Sequence, residues 1–239
     1  MPGMRSATSC ADLSGVGHQP SFLRQASDGW RKSWSHGPSH WGDLKPDFAE
    51  CKNGHRQSPI DIRNPQKADL PPIQFHYTPS PLHIIDNGHT VMINYGPGSS
   101  ISVGGKEYAL KQFHFHRPSE EKINGKGFEM VAHLVHQGSD GNLAVVAVLL
   151  QKGNDNPLVH ELWNDLPKEK EKEEVLNSVE IDLSTLLPAD RGYYTFPGSL
   201  TTPPCGLQRN CCQWRTHSKP HSFVVRRCPC LTRRCLAWR

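Results

Sequence analysis

The stretch Gln112-Phe113-His114-Phe115-His116 decides how this 239-residue chain is read. Apolar residues alternating with period two signal a strand, and residues two apart on a strand share a face. His114 and His116 therefore point one way, while Phe113 and Phe115 point the other, into a core. Two imidazoles side by side on an apolar backing form a partial metal site. A third is available downstream in Glu129-Met130-Val131-Ala132-His133-Leu134-Val135-His136. Turn formers occupy Pro118–Gly127, so the two stretches are expected to pair as an antiparallel hairpin. There His133 shares a face with Val131 and Val135, whereas His136 faces the other way with Ala132 and Leu134. Three neutral imidazoles with one open position suit a catalytic zinc site, while closed structural sites favour thiolates.

The same alternation recurs on both sides of this hairpin. Short apolar segments at Ile73–Tyr77, His83–Ile85, Thr90–Tyr95, Ser100–Val103 and Ala144–Gln151 predict strands. Asn87-Gly88, Gly96-Pro97-Gly98, Gly104-Gly105, Asn124-Gly125 and Asp140-Gly141 supply the turns. Closely spaced strands with little helix between them argue for a mainly antiparallel sheet. Pro157–Leu166 predicts a helix, and the charged run Lys168–Glu174 reads as a solvated helix face.

Composition divides the chain unevenly. The net charge of +4 comes from 27 Lys+Arg against 23 Asp+Glu. Residues 206–239 hold eight basic and no acidic residues, a charge of +8, which leaves 19 basic and 23 acidic residues elsewhere, a charge of −4. Six of the 8 cysteines lie at or after Cys205, the others being Cys10 and Cys51. No apolar run approaches the ~20 residues that span a bilayer. Residues 1–33 are rich in Ser, Gly and small polar side chains, have no hydrophobic periodicity or recognisable signal peptide, and are expected to be disordered. The globular part is expected at 34–205, with 206–239 an aberrant, disordered Arg/Cys-rich tail. That tail lacks the interleaved aromatics of single-strand binders and any Cys-x-x-Cys pair, so no nucleic-acid partner is assigned to it.

His114-x-His116 followed by Glu120 and Gly127 also fits the first cupin motif. Tyr108 stands where that motif opens with Gly, and its second half is absent downstream, so a cupin-type metal protein is the weaker reading. From about Trp41 to Cys205 the chain resembles an alpha-class carbonic anhydrase of the bacterial type. The motifs, in order, are Gln57-Ser58-Pro59-Ile60-Asp61-Ile62, Asn87-Gly88-His89, Gln112–His116, Pro118-Ser119-Glu120, Ala132-His133-Leu134-Val135-His136 and Ser199-Leu200-Thr201-Thr202-Pro203-Pro204.

The resemblance implies a mainly β fold: a large central, twisted, mostly antiparallel sheet with a few short surface helices. It implies zinc-dependent reversible hydration of carbon dioxide to bicarbonate and a proton by attack of zinc-bound hydroxide. Carbonic anhydrase is the type case in which zinc lowers the pKa of bound water to about 7. By matching position, His114, His116 and His133 look like the Zn2+ ligands and Gln112 like the partner that orients His114. Thr201 and Glu120 look like the relay that orients the hydroxide, and His89 like the proton shuttle. Thr202 would sit in the substrate pocket, with an apolar wall of Val135, Val145 and Leu200. Cys51 and Cys205 match the disulfide of bacterial members, which implies a periplasmic or secreted protein. The oligomeric state is left open, a dimer being one state the family allows.

Two departures stand out. The family commonly has an acidic partner two residues before the third His, where this chain has Val131, with Glu129 two residues further away; the readings are a weakened zinc orientation or, more mildly, a variant subgroup. After Pro204 the family continues into a central strand, whereas here Cys205 leads into Gly206-Leu207-Gln208-Arg209, placing Arg209 at an apolar core position. The C-terminal strands are therefore in doubt, a shifted reading frame is the expected cause of 206–239, and an inactive or folding-impaired product is the rival functional reading.

Overall fold

A computed structural model describes residues 38–213 and 223–224. The segments 1–37, 214–222 and 225–239, with the expectations placed on them, lie outside the described residues. Along the chain the strands are β1 (Asp61–Ile62), β2 (Gln74–His76), β3 (Ser80–Asp86), β4 (Val91–Asn94), β5 (Ser100–Val103), β6 (Lys106–His116) and β7 (Lys122–Ile123). They continue with β8 (Met130–Gly138), β9 (Leu143–Leu150), β10 (Asn154–Asp155), β11 (Glu173–Ile181), β12 (Tyr194–Ser199), β13 (Leu207–Gln213) and β14 (Phe223–Val224). The short helices α1 (Glu50–Asn53) and α2 (Pro157–Asn164) and three 3-10 turns complete the described elements.

Ten strands form one sheet in the order β11-β3-β4-β6-β8-β9-β13-β12, with β5 pairing to the first half of β6 and β2 to β5. Every pair in it is antiparallel except β13 with β9. A single large sheet of this order is unlike the double-sheet jelly roll of cupins. The mainly β, mostly antiparallel architecture matches the expectation.

One face of the sheet carries the core. Ile84, Ile93, Phe113, Phe115, Leu134 and Val146 are completely buried, and each such side chain contributes roughly 1.5–3 kcal/mol by leaving water. Helix α2 closes over this layer. Asn156 caps its start by accepting a hydrogen bond from the Val159 amide, and Pro157 fits the first turn, where no donor is needed. Leu158, Val159 and Leu162 are buried, and Trp163 meets Phe115 edge to face at 5.2 Å.

The structure differs from the sequence reading in three places. The run Lys168–Glu174 is solvated but not helical: it is a turn, with Glu171 at φ 58°, that opens into β11. Strands β11 and β12 went unread because β11 mixes charged and apolar residues, half-exposed at a sheet edge, and β12 contains Pro197. The sheet also runs past residue 205. The backbone of Leu207–Gln213 pairs with β9 on one side and β12 on the other, which corrects the doubt about a strand there. Within the β12–β13 ladder an extra residue on β13, opposite Pro197, is taken up as a bulge.

A second bulge positions the histidines. On β6 and β8 the pairs run Tyr108↔Gly138, Ala109↔Gln137, Leu110↔His136, and then Gln112↔Val135, His114↔His133, His116↔Val131. Lys111 is the extra residue. Its carbonyl accepts from the Tyr95 amide at 3.0 Å. Were the first register to continue, Ala132 would stand opposite His114 and His133 would turn to the far face. With the bulge, Leu110 faces the core before it and Phe113 after it, leaving Gln112, His114 and His116 on the same side as His133.

Candidate metal centre and active site

The three imidazoles converge. Their ring centroids lie 5.0 Å apart for His114–His116, 5.4 Å for His114–His133 and 4.9 Å for His116–His133. One nitrogen of each lies within 4.8 Å of those of the other two. Gln112 Oε1 engages His114 Nδ1 at 2.8 Å, as expected, which leaves His114 Nε2 for the centre. Glu121 engages His133 Nε2 through both carboxylate oxygens, at 3.0 and 3.2 Å, which leaves His133 Nδ1. His116 Nε2 is buried without a hydrogen-bond partner. A buried imidazole nitrogen left unpaired costs free energy unless something binds it, and a three-nitrogen set suits zinc.

Electrostatics favour the neutral, ligating form at two of the three imidazoles. Burial, assisted by the His133 charge, lowers the pKa of His114 to about 3, and burial likewise holds His116 far down. Both are neutral at pH 7, with lone pairs free for a metal. Burial alone would push His133 down too, but the charge and hydrogen bond of Glu121, joined by Glu120, turn the net shift upward. Glu120 is itself raised, chiefly by burial, against lowering by His133 and by a hydrogen bond from Thr201.

Sequence motifs hold this arrangement from outside. In the Pro118-Ser119-Glu120 turn, Ser119 Oγ donates to the Glu121 carbonyl and accepts from the Phe128 amide, both at 2.8 Å. The Gln57-Ser58 segment braces the threonine loop: Ser58 N donates to Ser199 Oγ at 2.9 Å, and Gln57 Nε2 donates to the Cys205 carbonyl at 3.2 Å. Cys205 is disulfide-bonded to Cys51. Above the imidazoles opens a cavity of about 540 Å³. Val135, Val145 and Leu200 line it together with Thr201, Thr202 and the exposed His89. His89 sits on a turn in which Asn87 Oδ1 accepts from the His89 and Thr90 amides.

The sequence profile of the eukaryotic-type carbonic anhydrase family matches residues 36–223. The chain belongs to the alpha, or eukaryotic-type, carbonic anhydrase family. It is 42% identical over 177 residues to a carbonic anhydrase of Nostoc, covering 71% of this chain and 66% of that protein, and so spans about two thirds of its length. It is 39% identical over 186 residues to a carbonic anhydrase of Pectobacterium carotovorum, covering 77% and 76%. A hyperthermostable carbonic anhydrase from an active hydrothermal vent chimney superposes with a TM-score of 0.74 at 42% identity, covering 79% of this chain and 83% of that one. The alpha-carbonic anhydrase of Thermovibrio ammonificans, solved with the inhibitor sulfanilamide, also gives 0.74, at 39% identity, covering 80% and 84%. Membership in this family sets the cupin-type reading aside.

Of the residues named from the sequence, His89, Gln112, the three imidazoles, Val135, Val145, Leu200, Thr201 and Thr202 line one cavity; Glu120 stands beside it, 3.6 Å from His116 Nε2, and Cys51 and Cys205 lie outside its lining. Glu121 is the residue that reading missed. It partners His133 in the role the family commonly gives to an acid at position 131, and Glu129, just before that strand, is exposed. A hairpin pattern carries no signal for it, because Glu121 reaches the site through a turn.

Proposed function

We propose that this chain is a zinc enzyme that reversibly hydrates carbon dioxide to bicarbonate and a proton. The observation that carries the reading is the trio of convergent imidazoles, with His116 Nε2 buried and without a hydrogen bond, at the floor of a largely apolar cavity. His114 Nε2, His116 Nε2 and His133 Nδ1 would hold Zn2+, which when bound makes water acidic enough to supply hydroxide near neutral pH.

The chain's own groups do the rest. In this reading the Thr201 hydroxyl, whose interaction lowers the Glu120 pKa, donates to the Glu120 carboxylate. Its proton is thereby committed, and its oxygen can only accept a hydrogen bond from the nucleophile, turning the nucleophile's lone pair toward the cavity. Val135, Val145 and Leu200 offer an apolar wall to a neutral, linear substrate, and Thr202 offers a hydroxyl to the anionic product. Each turnover releases a proton. His89, at the exposed mouth, is the imidazole that would carry it to solvent.

No described residue supports an inactive product, since the imidazoles, Glu120 and Thr201 are assembled. The Cys51–Cys205 bond supports a periplasmic or secreted location, because such bonds persist in oxidising compartments. The test is stopped-flow CO2 hydration with zinc analysis on the full chain. One zinc per chain and a rate lost in His114→Ala are expected. A zinc-loaded wild type that hydrates CO2 no faster than buffer overturns the proposal.

A further inference from the structure

We infer that Glu121 is the positioning residue for the zinc ligand His133, in place of an acid on the ligand's own strand, and that it governs how tightly the metal is kept. The inference rests on the zinc-site reading above and deepens it.

Glu121 is 2% exposed, and its described side-chain hydrogen bonds both run to His133 Nε2. Burying a carboxylate costs several kcal/mol unless a strong partner compensates. The compensation here is an imidazole N–H held between two oxygens. That bond fixes the tautomer, placing the proton on Nε2 and the lone pair on Nδ1, the nitrogen on the Glu120 side of the ring, 3.9 Å from Glu120 Oε2. A partner of this kind also raises the basicity of the ligand.

Position 131 is the place from which a same-strand acid would act. Val131 lies two residues before His133 on the same face, is fully buried and stands opposite His116. An apolar side chain there provides no acceptor, and Glu121 enters from the turn instead. The Ser119 clamp fixes that turn through the Glu121 carbonyl. Two consecutive glutamates thus divide the work. Glu120 takes the Thr201 hydroxyl, and Glu121 takes the ligand.

The experiment uses the full zinc-loaded chain. Zinc release to excess chelator is timed in wild type, Glu121→Gln, Val131→Glu and the double variant, with circular dichroism and the absorption spectrum of the cobalt-substituted forms alongside. Glu121→Gln is expected to release zinc about 10- to 100-fold faster and to shift the cobalt spectrum. Adding Val131→Glu is expected to recover part of both, because residue 131 shares the face of His133. Unchanged release in Glu121→Gln overturns the inference, and so does faster release that Val131→Glu leaves unrelieved. Should Glu121→Gln fail to fold, a folded, zinc-retaining double variant supports the assignment and an unfolded one overturns it. Absence of stoichiometric zinc in wild type breaks the functional reading itself. Wild-type zinc binding and activity with full retention in Glu121→Gln breaks only this inference.

Discussion

His133 and His136 stand three residues apart on one strand, both buried, and do different things. His136 points into the core. Its Nδ1 meets the Ala144 carbonyl at 3.2 Å, its Nε2 meets the Tyr77 hydroxyl at 2.9 Å, and the Tyr77 ring stacks on it at 5.9 Å. Both nitrogens are satisfied by neutral partners, and burial lowers its pKa to about 4. His133 points to the cavity side. One nitrogen is held by the Glu121 carboxylate, the other faces two more imidazoles, and its pKa is raised. Burial and residue type are shared, so neither makes an imidazole a ligand. What distinguishes the pair is which strand face each occupies and which partners that face supplies.

The strongest way to break this contrast is to exchange the faces. Inserting an alanine between His133 and Leu134 sets that alanine opposite His114 and turns His133 to the core face, opposite Phe115. Bound zinc is expected to fall from one per chain to none, and the hydration rate about a thousandfold or more, since the metal makes the nucleophile; metal analysis and stopped-flow kinetics read both. On the cavity side alone, Thr201→Ala removes the donor to Glu120. A misoriented nucleophile costs roughly 100-fold in kcat/KM, about 2.7 kcal/mol, while zinc content stays at wild type.

The core side answers to pH. The pKa of His136 is about 4 in the fold against 6.5 ordinarily, so between those values the unfolded chain binds more protons. Stability falls as pH drops through that window, and the His136 share of the loss from pH 7 to pH 5 is roughly 2 kcal/mol. Urea unfolding at both pH values should show a correspondingly smaller loss in His136→Gln. The smallest effect is that of the same variant at pH 7. Losing the hydrogen bond with Tyr77 should cost about 1 kcal/mol of stability and leave the hydration rate unchanged.

Much of the site was legible because its signals are local. Alternation set His114 and His116 against Phe113 and Phe115, and both phenylalanines are fully buried as that reading requires. Gln112 was named through the family resemblance, and it does engage His114 Nδ1 from two residues before it. Strands β11 and β12 were not legible, since a half-exposed edge and an internal proline blur the alternation. Glu121 was not legible either. Its neighbour Glu120 carried the motif, and which of two adjacent acids reaches which partner depends on a turn held by Ser119.

The sequence by itself determined which residues share a face within each strand, and hence that His114 and His116 form a pair and that His133 and His136 part company. Pleating fixes this, because successive side chains alternate without reference to any other segment. Only the tertiary structure decided that His133 stands opposite His114 and that its acid comes from residue 121. Register between strands is set by the bulge at Lys111, and a turn's reach by its packing, and neither is encoded in the period of a single strand.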